Sequence, residues 1–115
     1  MSETYRKTLE KEAELAEQAK GVKLEDIAIG EKLKIVTKNT EYILEHREEG
    51  YYLSGHKKYC PTPKKVIING STWGGSAIIT GFLGIGMHME INSIEGTDIA
   101  GNAITTSEIE NIERI

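Results

Sequence analysis

Only one cysteine occurs in the chain, Cys60, so an intramolecular disulfide is impossible. There are two prolines, Pro61 and Pro63, and both fall in one short stretch, which they bar from regular pairing. No long apolar run is present. The most apolar stretch, Ala77 to Ile91, is broken by Gly81, Gly84, Gly86, His88 and Glu90, and is too short and too polar to span a bilayer. The first twenty residues are charged throughout and lack the apolar centre of a signal peptide. A cytoplasmic protein with no membrane partner is the expectation. An excess of basic charge is also missing. Fourteen basic residues stand against eighteen acidic ones, a net charge of -4. That balance argues against a globally basic nucleic-acid binder and leaves a local basic patch open.

The chain has 115 residues, of which 38% are hydrophobic and 28% charged. This is the composition of a single globular domain, large enough to bury a core without disulfides or metals. Residues 2 to 20 read as a helix. Ser2 can cap it, Gly21 can end it, and good helix formers fill the interval. Its apolar stripe is thin: Tyr5, Leu9, Ala13 and Ala16, with Leu15 and Ala19 beside it. Such a helix is marginal alone and must dock on something, either its own domain or a partner. The organisation expected is therefore a helical segment over 1–21 and a β domain over 22–115.

Within that domain, Lys23 to Ile29 reads as a turn or helical piece. Leu33 to Thr37 and Glu41 to Arg47 read as strands with alternating faces, and Tyr51 to Ser54 returns as a third strand. Glu48-Glu49-Gly50 is a hairpin loop between the last two, which makes them antiparallel neighbours. Residues 55–65 form a loop, Val66 to Asn69 a fourth strand, and Gly70 to Ser76 a glycine-rich loop. Residues 77–92 read as one longer, bent strand. In it Leu83, Ile85, Met87, Met89 and Ile91 alternate as a core face. Gly84 and Gly86 then share the opposite face, which marks curvature, a covering element or a ligand groove. Ile104 to Thr106 is a short strand. Ser107-x-x-Glu110 matches a capping box, which suggests a single turn before a last strand ending at Ile115.

The residues able to carry chemistry are few. His46, His56, Cys60 and His88 are the only soft metal ligands. They could hold zinc tetrahedrally if the chain brought them together, though no C-x-x-C or H-E-x-x-H spacing is present. Cys60, with lysines nearby, could act as a thiolate. Lys57, Lys58, Lys64 and Lys65 form a local basic patch around His56 and Tyr59. Lysines with an interleaved aromatic can hold a single nucleic-acid strand. Trp73, between Thr72 and two glycines, is a core plug or an exposed stacking residue. If the sheet curls, the Gly84–Gly86 face could bring His88 toward His56 and Cys60. A shared binding site would then include His56, Tyr59, Cys60 and His88, with Trp73 as a further member.

The expected fold is α+β and mostly β: an N-terminal helix, then a small, strongly bent antiparallel sheet or barrel of five to seven strands. From about Lys23 to Ile115 the succession of short strands, hairpins and a late turn resembles the SH3-like and Sm-like barrels. That resemblance is architectural and carries no diagnostic motif, so it implies no particular activity. The leading expectation is a non-catalytic cytoplasmic binding or assembly module acting on a protein partner or on itself, with no resident cofactor. The alternatives are a nucleic-acid binder using the 56–65 loop, and a metal- or thiol-dependent enzyme built on His56, Cys60 and His88.

Overall fold

A computed structural model describes residues 20–74, 77–97 and 103–115. The helix expected over residues 2–20 lies outside these described residues, apart from Lys20. What is described is mostly β: nine strands and a single 3-10 turn, Leu24–Asp26. In chain order the strands are β1 (Gly21–Lys23), β2 (Lys32–Thr37), β3 (Glu41–Arg47), β4 (Gly50–Ser54), β5 (Lys64–Thr72), β6 (Ile79–Thr80), β7 (Phe82–Gly84), β8 (His88–Ile94) and β9 (Ile104–Arg114).

Seven of them form one antiparallel sheet in the order β4-β3-β2-β9-β8-β5-β6. β4 also pairs with β5, so the pairings return on themselves through six strands. A strand with both edges paired presents no free ladder to solvent. β1 and β7 form a separate two-stranded ribbon. The alternation in the sequence gives each strand an inner face. Leu33, Ile35 and Thr37 of β2 are buried, as are Tyr42 and Leu44 of β3 and Leu53 of β4. They meet Val66, Met89, Ile91, Ile94 and Ile109 in one core, with Leu24 and Ile27 closing an end of it.

β5 serves two neighbours along one edge. Its start pairs with β4 through Lys64, Lys65 and Val66, and its end pairs with β6 through Gly70 and Ser71. Gly70 makes the second contact possible. Its φ is +147°, and a Cβ there would stand 2.1 Å from the Ile79 carbonyl oxygen, so no side chain fits.

Four expectations are corrected. The fourth strand is longer than Val66 to Asn69: it takes in Lys64 and Lys65 at one end and Gly70 to Thr72 at the other. The long strand over 77–92 is three pieces, because Gly81 (φ +71°) and Gly86 (φ +90°) turn the chain where a strand would run straight. Gly84 and Gly86 therefore do not share a strand face. Gly84 pairs with Gly21 in the ribbon, and Gly86 sits in the turn. Leu83, Met87, Met89 and Ile91 are nonetheless buried, while Ile85 is only half-buried. Finally, Ser107 to Glu110 makes no turn. Residues 104–114 form one strand, paired with β2 and β8 on its two edges. A ladder on both sides outweighs one isolated helical turn, whose nucleation is costly.

Candidate functional site

His56, Tyr59 and Cys60 are brought together by the tight turn that follows β4. Gly55 N–H donates to the Cys60 carbonyl (2.9 Å), and Cys60 N–H donates to the His56 carbonyl (3.0 Å). Inside this closure His56 Nδ1 accepts from the backbone N–H of Lys58 (3.1 Å) and of Tyr59 (3.2 Å). Two donors aimed at Nδ1 require its lone pair, so within the turn Nδ1 is the accepting nitrogen. The imidazole stacks on Tyr42 (centroids 6.3 Å apart) and tilts against Tyr59 (4.8 Å). Lys58 Nζ lies 5.2 Å from the centre of the Tyr59 ring. Cys60 is fully buried, and burial pushes its thiol above the usual range. A buried thiol of raised pKa is a packing group and a poor nucleophile. Tyr42, Ile91, Ile94 and Ile104 complete its surroundings.

His88 does not join this group. It begins β8, opposite Thr72 of β5 and Glu108 of β9. Ile91 and Ile94, which reach the Cys60 cluster, lie three and six residues further on, about 10 Å and 20 Å at strand rise. His88 Nδ1 stands 2.9 Å from the Thr106 carbonyl oxygen, which can only accept, so Nδ1 carries the proton. Trp73 belongs to the His88 end. It follows Thr72 directly, is 45% exposed, and lies against Gly86. The residues expected to share one binding site thus fall into two groups: His56, Tyr59 and Cys60 in one, Trp73 and His88 in the other. Among the described residues no three His, Cys, Asp or Glu side chains gather closely enough to hold a metal ion. Of the basic patch, Lys57, Lys58 and Lys65 are exposed and Lys64 is half-buried.

A further concavity lies elsewhere. A cleft of about 510 Å3 opens between the 3-10 turn and β6–β7. Leu24, Tyr51, Ile79 and Phe82 supply apolar walls, and Lys23, Glu25, Thr80 and Gly81 also line it. Its volume falls within the range of pockets that hold small ligands or side-chain anchors. The cleft is held in shape from beneath. Tyr51 Oη donates to the Leu24 carbonyl (2.7 Å), and Leu24 N–H donates to the Gly81 carbonyl (2.8 Å). The Tyr51 ring stacks on His46 with centroids 4.4 Å apart and planes 15° from parallel. His46 Nδ1 in turn donates to the Ile27 carbonyl (2.5 Å). Burial pushes the Tyr51 phenol up, which keeps it protonated as the donor it needs to be.

Reading the sequence missed this cleft. Its walls come from three separated stretches, and only their folding puts Leu24 beside Phe82. One signal was available: Tyr51 shares a strand face with Leu53, which is buried, so its ring had to point inward at the end of the core.

Compared with family models, with curated proteins and with solved structures, the chain matches none.

Proposed function

We propose that this protein is a non-catalytic binding or assembly module, that its six-strand circuit forms a small barrel of the SH3-like or Sm-like kind, and that it works in the cytoplasm on a protein partner or on another copy of itself. The observation that carries this reading is the cleft walled by Leu24, Tyr51, Ile79 and Phe82. An apolar concavity with few polar groups suits the side-chain anchor of a partner. Its scaffolding supports the same reading. Tyr51 is fixed by a hydrogen bond and a ring stack, so binding would not require ordering that wall, and pre-organisation favours affinity. The histidines are engaged in holding the backbone. His46, His56 and His88 each have Nδ1 tied to main-chain groups.

The test is selection from a random peptide library displayed on phage, using the purified full chain and its Thr80→Arg variant. Thr80 is exposed and lines the cleft, so arginine would block the site without entering the core. The expected result is enrichment of peptides with an aromatic or branched apolar anchor, whose binding is lost in Thr80→Arg. No enrichment, or peptides that bind both forms equally, would refute the reading.

A further inference from the structure

Trp73 and Glu108 converge beside Gly86. The point where a Gly86 Cβ would stand is 3.1 Å from Cζ3 of the indole and 3.9 Å from Glu108 Oε1. The two side chains arrive from the strands that flank β8: Trp73 directly follows β5, and Glu108 lies within β9. Trp73 is 45% exposed and Glu108 is exposed. Among the described residues, Arg47 lies over the Tyr52 ring and Lys58 over the Tyr59 ring, but no cation lies over Trp73. None of their ion pairs includes Glu108 either. Lys38 meets Glu108 through its backbone, whose N–H donates to the Glu108 carbonyl (2.9 Å). His88, directly opposite Glu108, gives its Nδ1–H to the Thr106 carbonyl and keeps Nε2 as an acceptor in the neutral ring.

The surroundings are acidic. Residues 66–115 hold six acidic residues and one base, Arg114, which is paired with Glu31. Glu110 lies two residues beyond Glu108 on the same face of β9, and it too is exposed. An exposed indole beside an unpaired carboxylate is a receptor for a cation, because the ring face attracts positive charge and the carboxylate neutralises it. A guanidinium suits the pair better than an ammonium. It is planar and weakly hydrated, so it can lie on the ring while its N–H edge donates to the carboxylate. We propose that Trp73 and Glu108 form a binding site for an arginine side chain of a protein partner. None of these residues lines the apolar cleft, so the site stands independently of it. The acidic surroundings favour a basic protein segment and repel a nucleic-acid backbone.

The test is titration of the isotopically labelled full chain with the blocked tripeptide glycyl-arginyl-glycine, read by nuclear magnetic resonance. The chain has one tryptophan, so the indole N–H is a single resonance, and the Gly86 amide is a second reporter. Both should shift saturably. The citrulline tripeptide, which has the same shape and no charge, should shift neither, and the lysine tripeptide should bind more weakly. Glu108→Gln should weaken arginine binding roughly threefold or more. Glu95→Gln makes the same charge change past the other end of β8 and should leave binding unchanged. Trp73→Leu, followed at the Gly86 amide, should also lose the saturable shift. No saturable shift, an equal response to citrulline, or equal weakening by Glu108→Gln and Glu95→Gln would overturn the site. Equal binding of the lysine tripeptide would overturn the assignment of arginine. Arginine binding here without peptide enrichment at the cleft would refute only the cleft reading.

Discussion

The indole of Trp73 rests on Gly86, where a Cβ would come within 3.1 Å of ring atom Cζ3. Gly86 holds φ at +90°, a conformation that side chains rarely adopt. The two residues explain each other. The turn between β7 and β8 needs a glycine for its backbone, and the bare Cα leaves a flat seat for the ring. Gly86→Ala should therefore cost about 1–2 kcal/mol through backbone strain and displacement of the indole. Chemical denaturation followed by tryptophan fluorescence would show it, with the folded-state emission of Trp73, the only tryptophan, shifted to the red.

Met87 is fully buried, with its sulfur 3.4 Å from Ser71 Oγ. Met87→Asp would place an unpaired carboxylate there. The expected loss is roughly 3–5 kcal/mol, enough to unfold many domains of this size. Circular dichroism melting is the measurement, and a midpoint within a few degrees of the parent would contradict the assignment of Met87 to the core.

Among the described residues the core cluster begins at Leu24, and every strand of the closed circuit lies after Lys23. Removal of residues 1–19 should thus leave a cooperatively folding β domain. Far-ultraviolet circular dichroism with a thermal transition would check this. A truncated chain without a transition would show that the segment belongs to the core.

Glu31 accepts from Ala28 N–H (2.7 Å) and is paired with Arg114, which joins the start of β2 to the end of β9. The Ala28 N–H and then the Arg114 guanidinium hold its carboxyl below the usual range. A depressed carboxylate pKa stabilises the fold above the unfolded-state value and loses that contribution as pH falls through the folded value. The Glu31 carboxyl resonance should titrate below that of an unperturbed glutamate, and Glu31→Gln should flatten the acid limb of the stability profile. A midpoint at or above the unfolded value would remove this contribution.

Cys60 should be inert in the folded protein. Its thiol is buried and shifted upward by that burial. Dithionitrobenzoate is expected to label it only under denaturing conditions. Rapid stoichiometric labelling of the native chain would reopen the thiolate reading.

Alternation with period two was enough to locate β2 and β3 and to separate their faces, and the hairpin loop located β4. Leu33, Ile35 and Thr37 share one face and Tyr42 and Leu44 another, and all five are buried, because burial of one sheet face is a local constraint written every second residue. The hairpin was equally local, with Glu48-Glu49 as its turn and Gly50 pairing back to Arg47. The tertiary structure decided the rest. Whether residues 77–92 run straight depended on Gly81 and Gly86 taking positive φ, which glycine permits but does not require. Whether Ser107 capped a turn or joined a strand depended on β2 and β8 being there to pair; its hydroxyl now accepts from Asn39 N–H (3.1 Å), 68 residues away in the chain. His88 and Cys60 stand apart because His88 begins β8, beside Thr72 and Glu108, whereas Cys60, in the turn after β4, lies near Ile91 and Ile94 further along that strand, a separation no local pattern encodes. The cleft is the extreme case. Leu24, Tyr51 and Phe82 meet only once β4–β5 pairing closes the circuit and the β1–β7 ribbon folds across its end. A surface made of distant segments is set by their packing, and neither composition nor spacing along the chain carries that information.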